Sequence, residues 1–155
     1  MSTATVSRRR VHYNSYDELL ADAERAVHEK AGTTGNWSLG RILEHLAIGN
    51  DKSIDGFGFL APLPVRMVAG MFLKRRLLSR GLKPGFRLPK RAEQILVPDE
   101  IDPNDALEHL RRSVQRLQSE TKRSPHPFLG RMTLDESSRM SLRHAELHMS
   151  FVKAT

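Results

Sequence analysis

The sequence predicts an all-α protein, a bundle of helices built around one apolar core. Apolar residues recur at helical spacing in several long segments, two of which open with the Ser/Thr-x-x-Glu pattern that caps a helix N-terminus. Prolines and glycines concentrate between those segments, and no run alternates apolar and polar residues as a strand does. A chain of 155 residues without cysteine is expected to form a single domain over residues 1–155 without disulfides.

The first two predicted helices are marked by the residues that cap them. Ser15 begins a capping-box pattern, and the helix that it starts is expected to end near Gly32. Ser38 is expected to cap the second helix, which runs to about Asp55. Trp37 comes just before this cap and is interpreted as a packing residue at the start of the helix.

The middle of the chain combines a third helix with a long excursion. Residues 62–80 carry a one-sided apolar pattern, and Gly81 is a natural C-cap for them. The apolar face consists of Val65, Val68, Ala69, Phe72 and Leu73. Residues 83–102 contain three prolines and no clear periodicity, which predicts a long loop or an extra helix outside the simplest bundle. Such an excursion often lines a pocket.

Two further helices complete the predicted bundle. Asp102 and Pro103 begin the first of them, which ends near Lys122. Its buried stripe is expected to consist of Ala106, Leu107, Leu110, Val114 and Leu117. Thr133 opens a second capping box, and the helix that follows runs to about Val152.

The charge balance is strongly basic. Lys and Arg number 25 against 18 Asp and Glu, a net charge of +7 with a pI of about 10.2. Such a surplus can attract nucleic acid or an anionic membrane. However, aromatic residues are only 6% of the chain, and no basic run is interleaved with stacking aromatics, which argues against nucleic-acid binding. A solvated basic surface is the simpler interpretation, with residues 1–10 as a flexible basic tail.

Targeting and membrane signals point to a cytoplasmic protein. The first residues lead to three consecutive arginines, and no apolar core of a signal peptide follows them. The most apolar stretch, residues 54–73, is interrupted by Asp55, Pro62, Pro64 and Arg66. We therefore expect no transmembrane segment.

Histidines are the residues most able to carry chemistry in this chain. His144 and His148 are four residues apart on the last predicted helix, about 40° around the axis and about 6 Å along it. Two imidazoles so placed can bind one divalent metal from a single helix face. Ala145 stands where the zincin motif has its glutamate, so that metalloprotease pattern is absent.

Two more histidines are candidates for the same site. His45 flanks the apolar stripe of the second helix, and helical bundles build metal sites from side chains on facing helices. His126 lies between two prolines and is open to three interpretations: an additional ligand, a proton shuttle, or a loop histidine that bonds to backbone. His12, His28 and His109 are interpreted as surface residues.

Two motifs resemble those of the DinB/YfiT-like superfamily, which is considered to consist of metalloenzymes. Residues 37–47, WSLGRILEHLA, look like the signature of its second helix, and residues 142–148, LRHAELH, resemble the HxxxH motif of its last helix. Residues 50–56 and 125–130 are similar to one uncharacterised branch, a domain of unknown function.

The resemblance implies a four-helix up-down-down-up bundle. It also implies a divalent metal, nickel or zinc, held by His45, His144 and His148. Characterised members include transferases and isomerases that act with low-molecular-weight thiols, and relatives often form dimers. Because the chain has no cysteine, a thiol used here would come from outside the protein.

Three functions follow as hypotheses. The first is a metal-dependent enzyme that acts on a small molecule, as a thiol-dependent transferase or isomerase or as a hydrolase. Arg87, Lys90 or Arg143 would then be available to hold an anionic thiol or substrate. The second is a non-catalytic bundle that serves in binding or stress response. The third is a basic protein that binds nucleic acid or an anionic membrane.

Overall fold

The computed structural model describes residues 7–154, and every regular element in that range is a helix. The seven helices are α1 (Tyr16–His28), α2 (Leu39–Asp55), α3 (Leu63–Phe72), α4 (Lys74–Arg80), α5 (Lys90–Leu96), α6 (Pro103–Ser119) and α7 (Leu134–Met149). The all-α prediction is therefore confirmed for the described residues. The up-down-down-up order of a four-helix bundle stays a prediction.

Local capping signals place the helix starts well. Ser38 accepts a hydrogen bond from the third residue of α2, and Asp102 caps α6. Thr133 and Glu136 form the reciprocal capping box at the start of α7. At α1 the box is only half formed, because the Glu18 carboxylate accepts the amide of Asn14 rather than that of Ser15. The helix ends are less well predicted, since α1 stops at His28 and not near Gly32.

The core is shared by α1, α2, α6 and α7. Its most deeply buried side chains include Leu19, Leu43, Leu110, Val114 and Met149. All five residues of the stripe predicted for α6 are buried. The closest backbone approach lies at Gly40, where a Cβ atom would stand 2.0 Å from the carbonyl oxygen of Ile101. Only glycine therefore allows α2 to pass this close to the segment that leads into α6.

The third predicted helix differs from the structure in two respects. Residues 62–80 form two helices that meet at Leu73. None of the residues of α3 is buried, and Val65, Val68 and Phe72 of the predicted apolar face are all exposed. Periodicity identifies an apolar face but does not identify a neighbour that covers it. In the described chain, α3 touches the body at Gly70, where a Cβ atom would be 2.6 Å from the Leu129 carbonyl oxygen.

The long excursion contains a short extra helix, which was one of its two predicted forms, and the described part of the N-terminal segment is more ordered than the sequence predicts. Residues 83–102 contain α5, which packs against α2 and buries Ala92 and Leu96. The predicted flexible tail falls mostly on residues 1–6, which lie outside the described residues. Arg9 differs from that prediction, because its backbone amide donates to Ser150 and its guanidinium pairs with Asp22. Within residues 7–154, no helix is long and apolar enough to cross a bilayer.

Candidate metal site

The structure brings His45 of α2 together with His144 and His148 of α7. The Nε2 atom of His144 lies 3.1 Å from Nε2 of His45 and 3.1 Å from Nε2 of His148. Each of the three rings offers a nitrogen, and these nitrogens all lie within 4.8 Å of one another. The two α7 histidines share a helix face because they are four residues apart. His45 meets them because α2 and α7 pack together.

A backbone carbonyl fixes the tautomer of His45. Nδ1 of His45 lies 2.6 Å from the carbonyl oxygen of Leu96, and a carbonyl can only accept, so this nitrogen donates its proton. In the neutral ring Nε2 then carries a free lone pair directed at the other histidines. Metal-binding histidines are commonly held this way, by a carbonyl on the far ring nitrogen. Leu96 belongs to α5, so the excursion supports the site.

Burial keeps the three imidazoles neutral. It lowers the pKa of His45, and the hydrogen bond to Leu96 only partly offsets this. Burial also lowers the pKa of His148 to about 3, with a further contribution from His45. The pKa of His144 falls well below its ordinary value for the same reason, reinforced by the charges that His148, His45 and His126 would carry. Neutral rings present lone pairs, which is the form that a metal requires.

Two of the ring-nitrogen contacts have the spacing of ligands around a tetrahedral cation. In neutral rings one N–H can point along only one of the two Nε2–Nε2 contacts, so the other contact is left without a hydrogen bond. A cation between the rings would bind the lone pairs that this leaves free. Three ligand atoms about 2.0 Å from a tetrahedral zinc ion lie about 3.3 Å apart, close to the 3.1 Å contacts of the structure. This cluster could therefore hold a metal ion.

Trp37 forms one wall of the histidine cluster. Its ring stacks on His148 with the planes 4° apart and the centroids 5.5 Å apart, and it meets His45 edge-on at 5.0 Å. The guanidinium of Arg41 covers the Trp37 ring at 5.5 Å. The sequence interpretation of Trp37 as a packing residue missed what it packs against. Its place just before the cap of the helix that carries His45 was the available signal.

His126 lies close to the cluster but is not one of its three converging residues. Its Nδ1 accepts the backbone amides of Phe128 and Leu129 at 3.2 and 3.1 Å. The ring proton is therefore on Nε2, and burial lowers the pKa of His126 to about 4. In this tautomer His126 has no free lone pair for a metal, which favours the loop interpretation. Its Nε2–H remains a hydrogen-bond donor.

Two polar residues of α2 make contacts with other helices. Asn50 is buried and links three helices, because it donates to Ser113 of α6 and accepts from Ser141 of α7. Asp51 accepts a hydrogen bond from His109, which also bonds the Glu44 carboxylate. The interpretation of His109 as a surface residue is thus wrong, since it is half-buried between two acidic groups.

The basic residues considered for an anionic ligand are not gathered at the cluster. Arg87 and Lys90 are exposed. Arg143 is turned toward the N-terminal segment, where it pairs with Glu146 and donates to the Tyr13 carbonyl. Glu146 accepts the Tyr13 amide as well, so its carboxylate lies at the N-terminal segment.

Comparison with known proteins places the chain in a family. Residues 5–155 match the family described as a protein of unknown function, DUF1569. The chain belongs to this family. The expectation of a domain of unknown function is therefore confirmed, whereas the place of this domain in the DinB/YfiT-like superfamily stays a prediction. No curated protein and no solved structure matches the chain.

Proposed function

We propose that this DUF1569 protein is a metal-dependent enzyme of the DinB/YfiT-like superfamily, with His45, His144 and His148 as the ligands of one nickel or zinc ion. The observation that carries the proposal is the convergence of three neutral imidazoles around one point. Leu96 supports it further by holding His45 in the ligating tautomer. A cytoplasmic location, a homodimer and the up-down-down-up topology belong to the same proposal.

The ligand set favours catalysis over a purely structural role. Among the described residues the cluster consists of three histidines, which is the number of protein ligands in catalytic zinc sites that keep one position open. A divalent metal bound there would supply a Lewis acid that lowers the pKa of a bound water or thiol. The reaction would be a thiol-dependent transfer or isomerisation, or a hydrolysis, of a small electrophilic molecule.

The residues around the cluster would have separate tasks in that reaction. Trp37 packs on His148 and limits access of water from its side. Arg41 covers the outer face of Trp37 and holds the ring in place. Nε2–H of His126 is a neutral donor, because burial prevents its protonation at neutral pH. We propose that it donates to a polar atom of the substrate.

Metal content is the direct test of the ligand assignment. Protein purified without an affinity tag or chelator is expected to carry one metal per chain by mass spectrometry. His144→Ala and His148→Ala should each lose it. His28→Ala is the matched control, because His28 is exposed at the end of α1. Absence of metal in the wild type after incubation with nickel or zinc would overturn the proposal.

Turnover separates an enzyme from a metal-binding bundle without activity. The loaded protein is expected to consume a low-molecular-weight thiol in the presence of an activated aryl halide or an unsaturated acid, or to hydrolyse an activated ester. His126→Gln should slow this turnover without changing metal content. A fully loaded protein that turns over none of these compounds would favour the non-catalytic alternative.

A further inference from the structure

The surface of α3 and α4 combines exposed apolar side chains with uncompensated positive charge. On α3 the large side chains are 52–70% exposed. They are Leu63, Val65, Met67, Val68, Met71 and Phe72. Soluble proteins routinely expose single apolar residues. A contiguous patch of this kind instead marks a surface that binds another molecule or a membrane.

The shape of the apolar surface is convex. At 3.6 residues per turn the exposed side chains of α3 cover an arc of about 200° around the helix axis. The remaining arc carries Arg66, Ala69 and Gly70, which are the three less exposed residues of α3. Gly70 makes the close approach to Leu129. The helix is thus a ridge that contacts the rest of the protein along this narrower arc, at Gly70.

The charge of the same region is one-sided. Residues 56–92 contain nine Lys or Arg and no Asp or Glu, whereas the whole chain has a net charge of +7. Four of the cations lie on α4 (Lys74, Arg75, Arg76 and Arg80), and four follow it (Lys83, Arg87, Lys90 and Arg91). Within residues 7–154 only Lys74 of this group forms a salt bridge, with Glu136. The other seven are exposed.

We propose that α3 and α4 dock the protein onto an anionic lipid surface, with the α3 ridge among the acyl chains and the α4 cations at the headgroups. Interfacial helices are defined by this pairing of an apolar ridge with basic neighbours. A fluid lipid interface accommodates a convex arc of about 200°, whereas a protein groove covers a narrower face. Binding would place residues 7–154 at the membrane surface, and no helix in that range is long and apolar enough to cross it.

Two other occupants fit these observations less well. A second copy would bring two segments of this charge together, and neither carries an acidic residue to compensate. Nucleic acid would meet the cations, but Met71 and Phe72, both 70% exposed, would gain nothing against phosphates. Of these three occupants, an anionic lipid surface matches both the apolar ridge and the charge.

Vesicle co-sedimentation tests the proposal on the full chain. Wild-type protein should sediment with vesicles of equal parts phosphatidylcholine and phosphatidylglycerol, and not with phosphatidylcholine alone. Met71→Ser/Phe72→Ser should weaken binding roughly tenfold at unchanged charge, because both side chains would leave the acyl region. Leu134→Ser removes an exposed apolar residue of α7 as a control.

A second pair of variants tests the charge. Arg75→Glu/Arg76→Glu should also weaken partition at least roughly tenfold. Arg112→Glu/Lys122→Glu makes the same change in net charge at exposed positions outside the docking surface and should leave partition near wild type. All four exchanged side chains are exposed, so circular dichroism is expected to show folded proteins.

Each alternative result would overturn the proposal. Equal loss in both charge pairs would indicate adsorption by net charge alone. A dimer in light scattering that Met71→Ser/Phe72→Ser dissociates, without vesicle binding, would identify an interface between copies. Binding to duplex DNA that ignores the apolar variants, again without vesicle binding, would identify a nucleic-acid surface. Because the metal ligands are unchanged in all variants, metal content reports separately on the proposed function.

Discussion

Two neighbouring residues of α2, Glu44 and His45, belong to two histidine clusters whose pKa values shift in opposite directions. His45 meets His144 and His148, where burial lowers the pKa of every ring. Glu44 instead bonds His109, which also bonds Asp51, two turns further along α2. Burial alone would lower the pKa of His109, but its hydrogen bonds to Asp51 and Glu44, and their charges, outweigh burial and raise it above 6.5.

The difference shows that partners, more than burial, decide what a histidine does. His109 between two carboxylates is an imidazolium that joins α2 to α6 as an ion pair, with both of its nitrogens used as donors. Among the described residues no carboxylate bonds the rings of the His45 cluster, and each ring stays neutral, with one protonated nitrogen and one lone pair. The first arrangement stabilises the packing of two helices. The second leaves lone pairs that only a proton or a metal can satisfy.

The largest expected difference between the two clusters is the stability that the protein gains from bound metal. A metal at about 1,000 times its dissociation constant stabilises the folded state by about 4.1 kcal/mol. Wild type and His109→Ala are both expected to show a gain of this size in urea unfolding with nickel or zinc. His45→Ala should show almost none, because one of the three ligands is gone. A full gain in His45→Ala, or its loss in His109→Ala, would contradict the assignment of the two clusters.

The His109 cluster should show its own pH dependence. His109→Gln is expected to cost about 1–3 kcal/mol near pH 6, because the charge-assisted bonds to Glu44 and Asp51 are lost. The pKa of His109 is raised in the fold. Its contribution is therefore complete below the ordinary value of 6.5 and is lost as the pH rises through the raised value. Urea unfolding of wild type and variant across this range measures the difference.

The pH dependence of stability is expected to have the opposite sign for the cluster of His45, His144 and His148. The pKa values of His45, His144 and His148 are lowered in the fold. The unfolded chain therefore takes up protons below pH 6.5 that the native metal-free cluster excludes, so this cluster costs stability as the pH falls. His28→Gln serves as a neutral control, because His28 is exposed. Parallel pH profiles for His109→Gln and His148→Gln would refute the distinction.

Much of the fold could be predicted because its signals are local. The side chains of Ser38 and Thr133 cap the helices that follow them, as their sequence context indicates. The spacing of His144 and His148 sets them on one face of α7 without any knowledge of the tertiary structure. Such features depend on residues within one or two helical turns.

The features that sequence reasoning missed depend on distant partners. His109 meets Glu44 across 65 residues, and nothing near His109 in sequence indicates that contact. The hydrogen-bond partner of Nδ1 of His45 is a backbone carbonyl group. Every residue carries such a group, so no sequence pattern distinguishes Leu96. The exposed face of α3 was missed for the complementary reason, since an apolar pattern predicts burial only where a neighbour exists.

The smallest expected effect concerns the Leu96 carbonyl that holds His45. A substitution of the next residue, Val97, tests it. Val97→Pro would push Leu96 out of its helical conformation and turn its carbonyl away from Nδ1 of His45. Val97→Ala, which keeps a normal backbone, is the matched control. Loss of such a supporting hydrogen bond typically weakens metal binding about 10–100-fold.

Trp37 allows this loss to be measured directly. It is the single tryptophan of the chain and stacks on His148, so nickel bound at the cluster should quench its emission. We expect the midpoint of nickel quenching to shift to a concentration about tenfold higher in Val97→Pro and to stay unchanged in Val97→Ala. An unchanged midpoint in the proline variant would mean that His45 keeps its ligating tautomer without Leu96, and that burial alone prepares the cluster for a metal.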